Sequence, residues 1–337
     1  MIVMPKKVSR AHKIIVILGP TASGKSELAV KVAQKFNGEI ISADSRQIYK
    51  GLDVGSGKVP RDLILRKSDF LNIKEVRLPY IYKGIKHHLI DVASPKKIFT
   101  VAQYQKLARK ALKDILRRGK IPIICGGTGL YIDALIYNYQ FPEAPPQLNL
   151  RKKLEKKSTK ELFKQLKKLD PRRAENIDKN NRRRLIRALE ICISTNRPAP
   201  SFNFWRSDLQ NINRQFGEIG SPNIKILKIG VSVPKEKLKT RINRRVDKML
   251  KLGLINETKQ LLKKYPADLP AFNTIGYREI IDYLKGKTTL PEAISLIKKN
   301  TYQYTKRQMT WFKRNENIIW IDNPQKVFAI CRDWLCL

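Results

Sequence analysis

Cysteine is scarce. The 337 residues hold four, Cys125, Cys192, Cys331 and Cys336, and no two form a CxxC pair. That excludes a zinc cluster or a disulfide framework and fits a reducing compartment. No run of about 18 apolar residues exists, so nothing in the chain reads as a bilayer span. The segment MIVMPKKVSRAHK carries no apolar stretch of signal-peptide length, so a cytoplasmic location is expected rather than export. Acid is short as well: 29 Asp and Glu stand against 69 Lys and Arg, a formal charge of +40. What is plentiful is base, together with enough apolar residues (42%) for a sizeable core, which excludes general disorder.

Charge of that density points to a polyanionic partner, although a lysine-biased surface would give the same total. Its distribution favours the partner. Residues 151–184 hold fifteen Lys and Arg against five Asp and Glu. Residues 298–314 hold six Lys and Arg and no acid, with Tyr302, Tyr304, Trp311 and Phe312 interleaved. Base interleaved with aromatics suits nucleic acid, where rings stack on bases and cations track phosphates.

The expected fold class is α/β, a P-loop-like parallel sheet flanked by helices with an all-helical insertion. His12–Leu18 is a β-branched apolar run that meets a glycine turn, the pattern of a buried parallel strand. Ser26–Phe36 has helical apolar spacing. Glu39–Ser42 and Ile121–Cys125 read as further strands, with a basic amphipathic helix over Val101–Arg118 between them. Residues 56–86 read as a surface excursion. After the linker Pro142–Pro146, helices are expected over Leu150–Leu169 and Asn180–Ile193, then a loop-like stretch over Pro198–Pro222. Strand character returns at Ile224–Val233. Helices follow over Lys235–Leu252, Asn256–Lys264 and Pro291–Asn315, with a last strand in Asn317–Asp322. The expected division is therefore a core of 1–137 and 223–337 with a helical insertion at 138–222.

Gly19, Pro20, Thr21, Ala22, Ser23, Gly24, Lys25 and Ser26 fit GxxxxGK[ST] in full, after a strand and before a helix. Such a loop turns backbone N–H groups toward phosphate oxygens at a helix N-terminus. Lys25 adds a point charge and Ser26 a ligand for Mg²⁺. ATP is the usual occupant, but a diphosphate leaving group fits the same nest. Asp44 follows the second strand, where strand ends converge on the ligand crevice. It is either a metal-binding or proton-accepting carboxylate or the N-cap of a following helix.

Eight ordered segments then carry a resemblance: GPTASGKS, ADSRQIYKGLDVGSGK, HHLIDV, GGTGLYIDALI, RRLIRALEI, RINRRVDKMLKLGL, NTIGYREI and TKRQMTWFKR. Together, over about residues 14–322, they resemble the tRNA dimethylallyltransferases. The resemblance implies transfer of a dimethylallyl group from dimethylallyl diphosphate to N6 of an adenosine beside the anticodon, with diphosphate leaving. The partners it implies are tRNA and the prenyl diphosphate, with Mg²⁺ as cofactor and the chain acting as a monomer. The target base must leave its stack to be reached.

Residue by residue, the resemblance makes Asp44 the general base that takes a proton from the adenine amine. Ser45, Arg46 and Gln47 touch the unstacked base or its neighbours. Thr128 positions the base and stands at a helix N-cap. Arg245 neutralises the departing diphosphate, with Arg241 one turn earlier as the competing choice. Arg183, Arg184 and Arg187, and Asn273, Gly276, Tyr277 and Arg278, match segments that grip the anticodon stem-loop; Arg151 matches a further RNA-contacting arginine. His87 and His88 read as a structural turn. The chain departs from the family pattern at Gly55–Pro60, GSGKVP where GTAKP is usual, and in about twenty extra basic residues at roughly 61–80. The C-terminal zinc-finger extension of eukaryotic members does not occur in it, and the expectation is a bacterial-type or organellar enzyme without a structural metal. Two other readings compete: a P-loop kinase that uses ATP on a small nucleoside or nucleotide, and a non-catalytic RNA-binding protein with a nucleotide switch.

Overall fold

A computed structural model describes residues 12–62, 79–139, 141–142, 144–199, 224–315 and 317–337. They belong to two compact units, one from Met1–Asn138 with Asn213–Leu337 and one from Tyr139–Ile212.

The first unit is organised on a seven-stranded sheet. Its strands are β1 (His12–Leu18), β2 (Gly38–Ser42), β3 (Tyr80–Tyr82), β4 (Ile85–His88), β5 (Ile121–Gly126), β6 (Ile224–Val231) and β7 (Ile319–Ile321), in the order β3-β4-β2-β5-β1-β6-β7. All neighbours are parallel except the β3–β4 pair. β1 lies between β5 and β6 and is apolar on both faces, as a central parallel strand must be: Ile14 to Leu18 are at most 2% exposed. Each such side chain is worth about 1.5–3 kcal/mol of burial. Helix α1 (Lys25–Lys35) packs Leu28, Ala29, Val32 and Ala33 onto one face of the sheet.

Helices α2 (Val101–Arg117) and α3 (Gly129–Ile136) follow, the first opened by a Thr100/Gln103 capping box. After β6 come α8 (Lys235–Lys251), α9 (Leu254–Lys264), α10 (Tyr277–Leu284), the long α11 (Leu290–Phe312) and α12 (Lys326–Leu335), whose Val327 and Cys331 join the core beside β7.

The second unit contains α4 (Leu148–Glu155), α5 (Thr159–Leu169), α6 (Pro171–Asn176) and α7 (Arg182–Thr195) around Leu154, Leu162, Leu166, Leu185 and Leu189. The stretch read as one helix over 150–169 is two. Ser158 caps Glu161 N at 3.2 Å and starts a new helix there.

The surface excursion also needs correction. Residues 80–88 form the β3–β4 hairpin, turned at Lys83 (φ 51°) and Gly84 (φ 74°) and held by Asp62, which accepts from both turn N–H groups at 3.0 and 2.9 Å. His87 and His88 therefore sit on a strand, not in a turn. Residues 63–78 and 200–223, which include most of the basic excursion and of the loop after Pro198, lie outside the described residues. Among the described residues, no helix is long and apolar enough to cross a membrane.

Candidate active site

The phosphate loop occupies the turn from β1 into α1. Ser23 N donates to Pro20 O at 3.2 Å, and two positions take left-handed backbone, Gly24 at φ 94° and Ala22 at φ 64°. Glycine accepts that conformation freely, whereas an alanine there costs on the order of 1 kcal/mol. Gly24 caps α1 without a side-chain hydrogen bond, so the first-turn N–H groups remain available to an anion. Lys25 Nζ curls back to Pro20 O at 3.1 Å, which keeps the ammonium over the loop. Burial lowers its pKa and the nearby Arg245 adds to that, while the Cys125 thiol and Asp44 oppose it. Ser23 Oγ is buried with no hydrogen-bond partner among the described atoms, a hydroxyl that a phosphate oxygen would satisfy.

Asp44 lies just past the carboxyl end of β2. Its Oδ1 accepts Arg46 N at 2.8 Å, which closes a tight turn. No described helix begins there, so the N-cap reading is replaced by a turn that presents the second carboxylate oxygen. Thr128 stands at the N-cap of α3, yet its hydroxyl does not cap that helix. It accepts Ser45 N at 3.1 Å. Burial foremost, then Asp44, raises the Tyr304 pKa.

Two arginines of α8 reach the site, one at the phosphate loop and one at the loop that carries Ser56. Arg241 Nη1 donates to Ser23 O at 3.0 Å, and Arg245 Nη2 donates to Ser56 O at 3.3 Å. Arg245 is partly buried, and burial lowers its pKa against the opposing pull of Asp44. Gln47 Nε2 reaches Gly57 O at 3.3 Å, so Gln47 and Arg245 meet the same short loop from two sides.

Sequence reasoning missed Gln308. Its Oε1 accepts Thr21 N at 2.9 Å and Thr21 Oγ1 at 3.3 Å, and its Nε2 donates to Gly127 O at 2.8 Å. One buried carboxamide thus fastens the phosphate loop to the GGTG turn. The available signal was spacing: Tyr304, Gln308 and Trp311 fall on one face of α11.

Trp311 Nε1 donates to Asp133 Oδ2 at 2.7 Å. Burial pushes the Asp133 carboxyl up from 3.8 to about 7, against the Trp311 hydrogen bond and the Lys228 charge. A carboxyl raised in the folded state contributes stability that is full below its unfolded pKa and is lost as pH climbs through the folded one. The stability of the wild type relative to Asp133→Asn should therefore fall between about pH 4 and 7, by at most about 4 kcal/mol, and then level off. Urea melts of both proteins at several pH values check this; a pH-independent difference would contradict it.

The expected RNA-facing residues divide. Asn273 and Arg278 are exposed, whereas Tyr277 is wholly buried and Gly276 is interior. The Tyr277 side chain therefore supports the site from within and does not meet a ligand at the surface. In the second unit Arg183 and Arg184 are exposed. Arg151 and Arg187 are held instead by Glu190, itself 0% exposed: Arg151 makes two bonds of 2.8 Å to the two carboxylate oxygens and Arg187 one of 2.5 Å. A buried carboxylate needs such partners. Both arginines keep about a third of their side-chain surface, enough to face an anion as well.

For a divalent metal, the Ser26 hydroxyl and the Asp44 carboxylate are hard oxygen donors of the right type. The one trio of acidic, His or Cys side chains among the described residues whose ligand atoms lie within 4.8 Å of one another is Glu39, His88 and Asp114. There Arg118 and Lys120 already neutralise Glu39. Its Glu39 also lies near the amino end of β2, away from the end that carries Asp44.

A phosphate loop at a parallel-sheet switch point, an acid past the end of β2 on the far side of β5, and two arginines of α8 define a phosphate-handling group-transfer enzyme of the α/β class. The comparisons with known proteins narrow this. The family model described as IPP transferase matches residues 47–315, and that of isopentenyl transferase residues 12–77. A tRNA dimethylallyltransferase of Anoxybacillus flavithermus is 43% identical over 92% of this chain and 90% of its own. One of Carboxydothermus hydrogenoformans is 43% identical over 94% of each. The crystal structure of the tRNA isopentenylpyrophosphate transferase of Bacillus halodurans aligns with TM-score 0.64 and 35% identity over 96% of each chain. A eukaryotic dimethylallyltransferase acting on tRNA gives TM-score 0.73 at 28% identity, over 97% of this chain and 80% of that one. The chain belongs to the tRNA dimethylallyltransferase family.

Proposed function

We infer that the chain is an enzyme that transfers a dimethylallyl group from dimethylallyl diphosphate to N6 of the adenosine 3′ to the anticodon in tRNA, releasing diphosphate. The observation that carries the chemistry is the grouping of Lys25, Asp44 and Arg245, close enough that Asp44 acts on the charge of both cations. One side of that grouping is cationic and suits the leaving diphosphate. The other is a half-buried carboxylate on a tight turn and suits the attacking amine.

Asp44 accepts a proton from the exocyclic amine as the carbon–nitrogen bond forms. Thr128, Ser45, Arg46 and Gln47 hold the unstacked base in line with the prenyl carbon. Lys25, Arg245, Arg241 and the loop N–H groups take up the charge that develops on diphosphate as the carbon–oxygen bond breaks. Mg²⁺, when bound at Ser26, supplies further neutralisation of the diphosphate. Arg183, Arg184, Asn273 and Arg278, with Arg151 and Arg187 through their free donors, grip the RNA. We further infer a cytoplasmic monomer.

Incubation with labelled dimethylallyl diphosphate and unmodified tRNA tests the reaction. Label should enter RNA; ADP release with a nucleoside acceptor would support the kinase reading instead. Affinity for tRNA should fall steeply with salt, as several phosphate contacts release counterions, losing on the order of 10³-fold between about 50 and 200 mM. A flat response in a filter-binding titration would contradict the role given to the basic surface.

A further inference from the structure

Glu257 on α9 touches neither the phosphate loop nor the Asp44 turn. Its carboxylate instead accepts three consecutive backbone N–H groups: Asp53 at 3.1 Å and Val54 at 2.8 Å on Oε2, and Gly55 at 3.1 Å on Oε1. Oε1 also accepts the Tyr277 hydroxyl at 2.6 Å, and that hydroxyl in turn accepts Gly55 N at 3.1 Å. The Tyr277 ring lies against Gly55 so closely that any side chain there would overlap it. Lys58, whose side chain is 2% exposed, fixes the far end of the loop through Tyr49 O at 2.7 Å, Asp53 Oδ1 at 2.6 Å and Asp91.

Two peptide units of this fastened loop meet the site. Ser56 O receives Arg245, and Gly57 (φ 62°) forms the recess in which the guanidinium rests; a methyl group at Gly57 would overlap it. Gly57 O also receives Gln47. The loop is a template with one face set by Glu257 and Tyr277 and the other shaped to Arg245.

We propose that Glu257 is a positioning residue that, with Tyr277, sets the Arg245 guanidinium for the departing diphosphate by holding residues 53–57. The proposal rests on the role given to Arg245 above. Glutamine at 257 keeps the size but turns an NH₂ toward N–H donors, which leaves at least one backbone donor unpaired. The loop then shifts, and Arg245 with it.

The test is a double-mutant cycle of wild type, Glu257→Gln, Arg245→Gln and the double variant, read as KM for dimethylallyl diphosphate, Kd for diphosphate and Kd for tRNA. Glu257→Gln should raise the two donor-side constants by roughly 10-fold, the scale expected when a positioned group is displaced by a fraction of an ångström. Its effect on tRNA Kd should stay within about 2-fold, and in the Arg245→Gln background it should add less than about 2-fold, because the coupled partner is already gone. Should Glu257→Gln fail to fold, Tyr277→Phe removes one hydroxyl and should show the same coupling at about 2- to 5-fold.

Equal penalties in both backgrounds, or equal losses for donor and tRNA, would overturn the proposal while leaving Arg245 in place. A diphosphate Kd unchanged by Arg245→Gln would overturn the role of Arg245 itself, and the proposal with it.

Discussion

Asp44→Ala lowers turnover by roughly 10²- to 10⁴-fold, the usual worth of a general base, and leaves tRNA affinity nearly unchanged. The expectation follows from how the carboxylate is held. One oxygen is committed to Arg46 N at 2.8 Å, so the turn that also carries Ser45 and Gln47 depends partly on it. The other oxygen is free to take a proton from an amine that is a poor nucleophile in its neutral, conjugated form. Thr128 supports the same turn through Ser45 N, so alanine at 44 leaves the turn one anchor and the base-binding groups in place. Single-turnover rates with saturating donor, set beside a tRNA titration, separate the two effects. Wild-type turnover in the variant would remove Asp44 from the mechanism; a collapse of tRNA affinity would make it a structural residue.

The second large effect is Lys25→Ala, which should raise KM for dimethylallyl diphosphate by roughly 10- to 100-fold, the value of one charge-assisted contact made in a water-poor site. Lys25 is poised by Pro20 O and sits near Arg245, so two cations face the single nearby carboxylate of Asp44 and an anionic ligand is favoured there. Affinity for tRNA should not follow, because the loop contributes none of the proposed RNA contacts. Initial rates over a donor titration, with diphosphate as product inhibitor, give the answer. An unchanged KM would mean that the loop binds something else.

What the sequence discloses about this site, and what it hides, follows from chain distance. The phosphate loop and the Asp44 turn are continuous segments, so residue types and spacing suffice to find them. Gln308 and Glu257 act across the fold on Thr21 and on residues 53–55, and no local pattern marks either as a partner of those loops. Arg151 and Arg187 read as exposed cations because a single buried Glu190 cannot be seen from a helix that looks solvated. Tyr277 reads as a surface contact because its neighbours Asn273 and Arg278 are exposed, yet its place at the first turn of α10 turns the ring inward. The β3–β4 hairpin was concealed by short strands within a polar stretch, although Lys83–Gly84 is a recognisable two-residue turn. The break in the helix expected over 150–169 was marked all along by Ser158 and Glu161.

The most direct measurement is a nucleoside digest of an anticodon stem-loop turned over by the purified protein with dimethylallyl diphosphate, analysed by mass spectrometry with diphosphate release measured in parallel. A single adenosine carrying a five-carbon group on its exocyclic nitrogen, with one diphosphate released per modified base, is the predicted result. Unmodified RNA alongside consumption of ATP on a small acceptor would contradict the account.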